Sequence, residues 1–70
     1  MVRLYTLRDD VSCHRIRKFL NSKHISFTEI DVRKNGITGY LERDLGAHEL
    51  PVAVTSSGIF VGEEEIKKHL

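Results

Sequence analysis

Segments typical of strands and segments typical of helices alternate along the whole chain, and this order restricts the folds that are open to it. Residues 2–7 are short, apolar-rich and β-favouring, whereas from Val11 onwards apolar residues recur at the spacing of one helix face. The predicted elements are strand 2–7, helix 11–20, strand 25–32, helix 37–45 with Gly46 as its C′ residue, strand 51–55, strand 59–61 and a short helix after Gly62. The sequence therefore predicts one domain over residues 1–70 with the order β-α-β-α-β-β-α.

The connections between these elements predict the sheet. Strands that are joined through a helix are expected to run parallel, through right-handed crossovers. The turn at Ser56-Ser57-Gly58 instead predicts an antiparallel hairpin between the last two strands. We therefore predict an α/β fold with a four-stranded mixed sheet and three helices on its faces.

Composition and charge exclude several classes of protein. The 11 basic and 10 acidic residues nearly balance, and the net charge of +1 indicates neither nucleic-acid binding nor binding to anionic membranes. The sequence has no run of about 18 apolar residues that would span a membrane. The single cysteine, Cys13, cannot form an intrachain disulfide, and a free thiol fits the reducing cytoplasm. We therefore expect a monomeric cytoplasmic protein, with a dimer linked through Cys13 as the alternative.

Several short motifs follow one another at a recognisable spacing. The tetrad Asp10-Val11-Ser12-Cys13 stands between the first strand and the first helix, three residues after Tyr5-Thr6. The strand at 27–32, the pair Leu50-Pro51 and Gly62 then follow. In this joint spacing the chain resembles glutaredoxins, and most closely the small NrdH-redoxins, over essentially all of its length. The resemblance implies a minimal, glutaredoxin-like thioredoxin fold and a role in thiol–disulfide redox metabolism, that is, electron transfer and cell redox homeostasis.

The tetrad departs from the resembling family in its chemistry. In that family it is Cys-x-x-Cys, and the first cysteine attacks disulfides. Here Asp10 takes the first position and Cys13 takes that of the second, resolving cysteine. Because a carboxylate cannot attack a disulfide, a two-cysteine cycle within this chain is excluded, and any catalysis is expected through Cys13 alone. Asp10 is predicted to be the N-cap of the helix, with a base or orienting group for Cys13 as the alternative.

Two opposing effects act on the reactivity of Cys13. The positive end of the helix dipole lowers a thiol pKa, and Arg8 and Arg15 are close enough in sequence to assist. Cys13 also shares the apolar stripe of Ile16 and Leu20, and burial raises a thiol pKa. The sequence is therefore compatible with two interpretations of Cys13, a reactive thiol or a small buried hydrophobic side chain.

The resemblance also implies a substrate-binding side, formed by Leu50, Pro51 and Gly62 with Arg8. In the family the bond before the proline is cis, and the backbone of the preceding residue, here Leu50, pairs with an extended peptide or with glutathione. A structural turn at the start of a strand is the alternative for this pair. Gly62 lies where glutaredoxins hold glutathione at a helix start. Leu7 and Arg8 replace the Lys-Pro pair that is common in the family, and Arg8 is the residue that could take the part of its lysine. The three glutamates at 63–65 would repel a carboxylate there, so glutathione is only a candidate substrate.

No metal ion or other cofactor is expected. The four histidines and one cysteine do not form a zinc-binding spacing. One-cysteine glutaredoxins that carry an iron–sulfur cluster ligate it through the first tetrad position, which here is Asp10.

Two hypotheses on function follow. In the first, the protein is a glutaredoxin-like thiol–disulfide oxidoreductase that uses Cys13 alone, with glutathione or a thiol or disulfide protein as its partner. In the second, it is a redox-inactive module that binds extended peptides or a protein partner between Asp10 and Pro51. Solvent access to the thiol distinguishes the two hypotheses.

Overall fold

The structure, a computed structural model, describes residues 2–35 and 49–70, with residues 34 and 35 described by their backbone. Its strands are β1 (Val2–Thr6), β2 (Phe27–Asp31), β3 (Val52–Thr55) and β4 (Gly58–Val61). Its helices are α1 (Val11–Ser22), α2 (Val32–Asn35) and α3 (Glu63–His69). The helix predicted over 37–45 with its Gly46 cap lies outside the described residues.

The four strands form one mixed sheet in the order β2-β1-β3-β4. β1 and β2 pair in parallel, and the hairpin predicted between β3 and β4 is antiparallel as expected. The four-stranded mixed sheet and the α/β class are thus confirmed.

One prediction about this sheet was wrong. β3 was expected to run parallel to the first strands, but it pairs antiparallel with β1. Asp31 at the end of β2 lies opposite Thr6, and Val52 at the start of β3 lies opposite Tyr5. The chain therefore leaves and re-enters the sheet at the same end, and no crossover along the length of the strands is needed.

Local capping explains where two helices begin. The Asp10 carboxylate accepts a hydrogen bond of 3.1 Å from the Cys13 N–H at the start of α1, which is an N-cap. The Asp31 carboxylate accepts one of 2.9 Å from the Arg33 N–H, which is the corresponding contact at the single-turn helix α2. The sequence predicted the strand to continue to Val32 and then to break, so α2 is an element that the prediction missed.

Apolar side chains pack on both faces of the sheet. One cluster lies between the sheet and helices α1 and α3, and its buried members are Leu4, Ile16, Leu20, Ala53 and Ile66. A second, smaller cluster covers the opposite face with Tyr5, Val32 and Val52. Because neighbouring residues in a strand point to opposite faces, Leu4 and Tyr5 join different clusters. In the described part of the chain, no helix has the length and apolar character to cross a membrane.

Candidate functional site

Three segments that are distant in sequence meet at one end of the sheet. The Pro51 carbonyl accepts a hydrogen bond of 2.8 Å from the Gly62 N–H, which joins the start of β3 to the start of α3. Ser12, from the tetrad, lines the same groove as Leu50 and Gly62. The structure therefore brings the tetrad, the proline and the glycine together.

Cys13 is fully buried, with no exposed surface. Its Sγ accepts a hydrogen bond of 3.4 Å from the Leu7 N–H. Burial raises the pKa of the Cys13 thiol, and the nearby Asp10 carboxylate raises it further. The Leu7 N–H and the charge of Arg17 act in the opposite direction but do not outweigh burial, so the pKa is raised overall. The thiol is therefore protonated and shielded at neutral pH.

Asp10 has the geometry of a cap. Its backbone is extended, at φ −80° and ψ 129°, and its Oδ1 is directed to the Cys13 N–H. Its backbone carbonyl accepts the first helical hydrogen bond, from His14, at 3.1 Å. This carboxylate places a negative charge beside a buried thiol, where it disfavours ionisation of the thiol.

The Leu50–Pro51 peptide bond is cis. Pro51 is buried, whereas Leu50 is partly exposed. Within residues 2–35 and 49–70, no hydrogen bond occupies the backbone N–H or C=O of Leu50.

A groove of about 430 Å³ lies beside this bond, and we call it the cis-proline groove. Its lining residues are Ser12, Glu49, Leu50, Val61, Gly62, Glu63, Glu64 and Glu65. Gly62 has φ +90° and ψ 160°, a conformation that is essentially restricted to glycine. A Cβ at this position would lie 2.8 Å from Oε1 of Glu49, so the glycine also leaves room for that carboxylate.

Helices α1 and α3 are joined beside the cis-proline groove by an ion pair that the sequence did not predict. Arg15 donates two hydrogen bonds to the Glu63 carboxylate, at 2.8 and 2.9 Å, and Lys67 lies 3.1 Å from it. The hydrogen bond from Arg15, and then that from Lys67, lowers the pKa of Glu63 to about 2. Arg15 was considered as an aid to Cys13, but its guanidinium contacts Glu63 instead. Only the four-residue spacing of Glu63 and Lys67 was a signal available in the sequence.

Arg8, the other basic residue predicted at the site, is exposed and is not among the lining residues of the groove. A different arginine, Arg17, pairs with Glu29 at 2.6 Å. Glu29 also accepts a hydrogen bond of 2.8 Å from the hydroxyl of Thr6, a fully buried residue. Glu29 thus links α1 to the sheet, and this polar contact was also missed.

In the described residues, no group of three or more histidine, cysteine, aspartate or glutamate side chains could hold a metal ion. His48 lies outside these residues. His69 stacks on Phe60 with ring centroids 4.7 Å apart.

Comparison with known proteins gives a result for the fold. No protein-family model matches the sequence, and none of the curated proteins does. The thioredoxin-like protein BC3987 is 23% identical with a TM-score of 0.82, over 100% of both chains. The NrdH-redoxin from Escherichia coli is 22% identical with a TM-score of 0.82, over 99% of this chain and 93% of its own. A glutaredoxin from Archaeoglobus fulgidus is 24% identical with a TM-score of 0.77, over 96% of this chain and 82% of its own. The chain therefore has the thioredoxin-like fold that these redox proteins share.

Proposed function

We propose that this protein is a thioredoxin-fold module that binds an extended segment of a protein partner in the cis-proline groove and carries out no dithiol exchange. The burial of Cys13 carries the proposal: the only thiol of the chain has no exposed surface and a raised pKa. By the resemblance to glutaredoxins, Asp10 takes the position of the attacking cysteine, and its carboxylate caps the helix. The protein acts as a cytoplasmic monomer, and its expected partners are thiol or disulfide proteins, because the fold is that of glutaredoxins.

The cis-proline groove supports the binding half of the proposal. The backbone N–H and C=O of Leu50, beside the cis bond to Pro51, would pair with a strand laid alongside them. Side chains of that strand would contact the apolar surface of Leu50 and Val61. Main-chain hydrogen bonds would supply affinity, and the groove would select among side chains.

One-cysteine exchange is the second candidate, and one observation favours it. The Leu7 N–H donates to Sγ at 3.4 Å, and this contact lowers the pKa of the thiol against the effect of burial. In this reaction the Cys13 thiolate attacks one sulfur of a disulfide, forms a mixed disulfide and releases the other sulfur as a thiolate. An external thiolate such as glutathione then attacks the mixed disulfide and restores Cys13.

Alkylation of Cys13 by iodoacetamide, followed against pH in the folded and the denatured protein, tests the proposal. We expect folded protein to react roughly a hundredfold or more slowly than denatured protein, because labelling requires local opening. The chain has no other thiol, so mass spectrometry reports this site alone. An apparent pKa near or below about 7 in the folded protein, against about 8.5 for a free cysteine, would overturn the proposal in favour of exchange.

Binding is tested separately with a short, extended, cysteine-free peptide and the isotope-labelled protein. We expect the amide signals of Leu50, Val61 and Gly62 to shift on titration, since these residues border the groove. Signals of the hairpin turn at Ser56 and Ser57, at the other end of β3, should stay in place. The absence of any shift at the groove would contradict the binding role.

A further inference from the structure

We propose that the cis-proline groove selects a cationic extended segment, one in which basic and apolar side chains alternate. This inference rests on the proposed function and adds the chemistry of the partner. It depends on the distribution of charge around the groove, which differs from that of the whole molecule.

Acidic side chains are concentrated at this groove. Four acidic side chains line it among the residues that the structure describes, although the net charge of the whole chain is +1. Carboxylates that line one cleft add their potentials, so a cation is attracted there even when the protein is nearly neutral.

Not all of this charge is available to a ligand. Glu63 is neutralised by Arg15 and Lys67, which lie 2.8 and 3.1 Å from it. Glu65 lies 3.3 Å from His69, an ion pair only while the imidazole is protonated. Glu49 and Glu64 are exposed and have no ion pair among the described residues. Within residues 2–33 and 49–70, these two rim carboxylates are therefore without a basic partner.

Apolar side chains also border the groove. Leu50 and Val61 line the groove, and Val11, next to the lining residue Ser12, is 64% exposed. Successive side chains of a strand point to opposite sides. A segment with alternating valine and lysine would place the valines on this apolar surface while the long lysine side chains reach the rim. Glutathione, which carries two carboxylates, has the wrong charge for the same place.

Three short peptides of one length, with blocked termini, test the inference. Each alternates valine with lysine, with glutamine or with glutamate, and binding is followed from the amide shifts of the labelled protein. We expect the lysine peptide to bind roughly tenfold more tightly than the glutamine peptide at low salt, since two exposed ion pairs contribute about that much. This preference should nearly vanish at about 1 M salt, where the screening length is about 3 Å. The glutamate peptide and glutathione should bind most weakly.

A pair of variants tests whether the preference for the lysine peptide originates at the cis-proline groove. In the double variant Glu49→Gln/Glu64→Gln we expect the lysine preference to fall to roughly twofold, because the free carboxylates are gone. The matched control is Ser56→Lys/Ser57→Lys, which makes the same change in net charge at the exposed hairpin turn. This control should keep the full preference.

The outcomes distinguish the charge selection from the binding function on which it rests. Equal binding of the lysine and glutamine peptides would overturn the charge selection and leave the binding module intact. An equal loss of preference in the groove variant and the turn variant would also overturn it, since net charge alone would then be responsible. If no peptide binds, the proposed function itself fails.

Discussion

The two sides of the candidate site differ in how much of their surface is open to solvent. On the α1 side, Cys13 has no exposed surface and Asp10 is engaged in capping the helix. On the proline side, Leu50 is partly exposed and Glu49 is exposed, beside a groove of about 430 Å³. The proposed function requires this difference, an open groove beside a thiol that is enclosed as part of the structure.

The enclosure of the thiol has a simple cause. Cys13 lies one turn before Ile16 on the buried face of α1, and Ile16 and Leu20 belong to the cluster that fixes this helix to the sheet. The thiol is therefore packed together with the core. The proline side consists of chain ends and turns, which leave backbone groups open.

The largest effect is expected where the α1 side is held to the sheet. Ile16→Ala should lower the free energy of unfolding by about 2–5 kcal/mol, because a fully buried side chain is truncated. The rate of Cys13 labelling by iodoacetamide should increase as the free energy of unfolding falls, since α1 would open more often. Chemical denaturation and labelling rates on the same samples check this prediction.

Two further variants serve as controls for this comparison. Ile16→Val, which should cost about 0.5–1.5 kcal/mol, provides a folded protein if the alanine variant does not fold. Leu50→Ala, on the open side, should cost about 1–2 kcal/mol, because its partly exposed side chain packs against the second cluster, and it should leave the local opening of α1 and the labelling of Cys13 unchanged. An equal acceleration of labelling by Leu50→Ala would show that the two sides open together.

A smaller effect is expected at Gly62. Gly62→Ala should cost about 1–3 kcal/mol, because φ +90° with ψ 160° is a region that only glycine adopts readily. The contact with Glu49 adds little, since that carboxylate is the end of a flexible, exposed side chain. The double variant Gly62→Ala/Glu49→Ala should therefore be as unstable as Gly62→Ala alone. Recovery of stability in the double variant would mean that the contact with Glu49, and not the backbone conformation, causes the loss of stability.

Asp10→Cys tests whether the α1 side lacks only its nucleophile. A thiol at the start of α1 is expected to be partly ionised at neutral pH, and to raise the rate of exchange with glutathione disulfide at least about tenfold over the parent protein. Loss of the cap should cost about 1 kcal/mol. Asp10→Ser, which keeps a capping oxygen and adds no thiol, should remain as inactive as the parent. If Asp10→Cys gains nothing, the barrier is the burial of Cys13 and not the missing first cysteine.

Much of the fold could be predicted from local pattern. The change from strand to helix spacing at Val11 and the turn at Ser56-Ser57-Gly58 are short-range signals, and both elements were found. The direction of β3 was predicted wrongly, because the sequence does not reveal at which end of the sheet a long connection returns. The one-turn helix at Val32–Asn35 was missed although Asp31 is a usual capping residue, since β-branched residues on both sides of it favoured a strand.

The candidate site likewise combines features that local pattern predicts with features that it does not. The cap at Asp10 was predicted from the sequence, and the structure has it. Helix spacing left the burial of Cys13 as one of two alternatives, and the structure shows the thiol buried. The pairing of Arg15 with Glu63 joins residues 48 positions apart, and no local rule indicates such a contact. The cis-proline groove as a lined cavity depends in the same way on three segments that meet only in the folded chain.

The smallest expected effect concerns this pairing, which ties the closed side of the site to the start of α3. The pKa of Glu63 is lowered from 4.5 to about 2, so its contribution to stability is present above about pH 4.5 and is lost as the pH falls through about 2. Acid unfolding of the parent should therefore be steeper in this range than that of Glu63→Gln. Glu64→Gln removes a neighbouring carboxylate that has no ion pair among the described residues, and it should keep the steeper parental profile. Identical acid profiles for the parent and both variants would mean that the ion pair does not hold the two helices together in solution, and that the apolar cluster alone sets their arrangement.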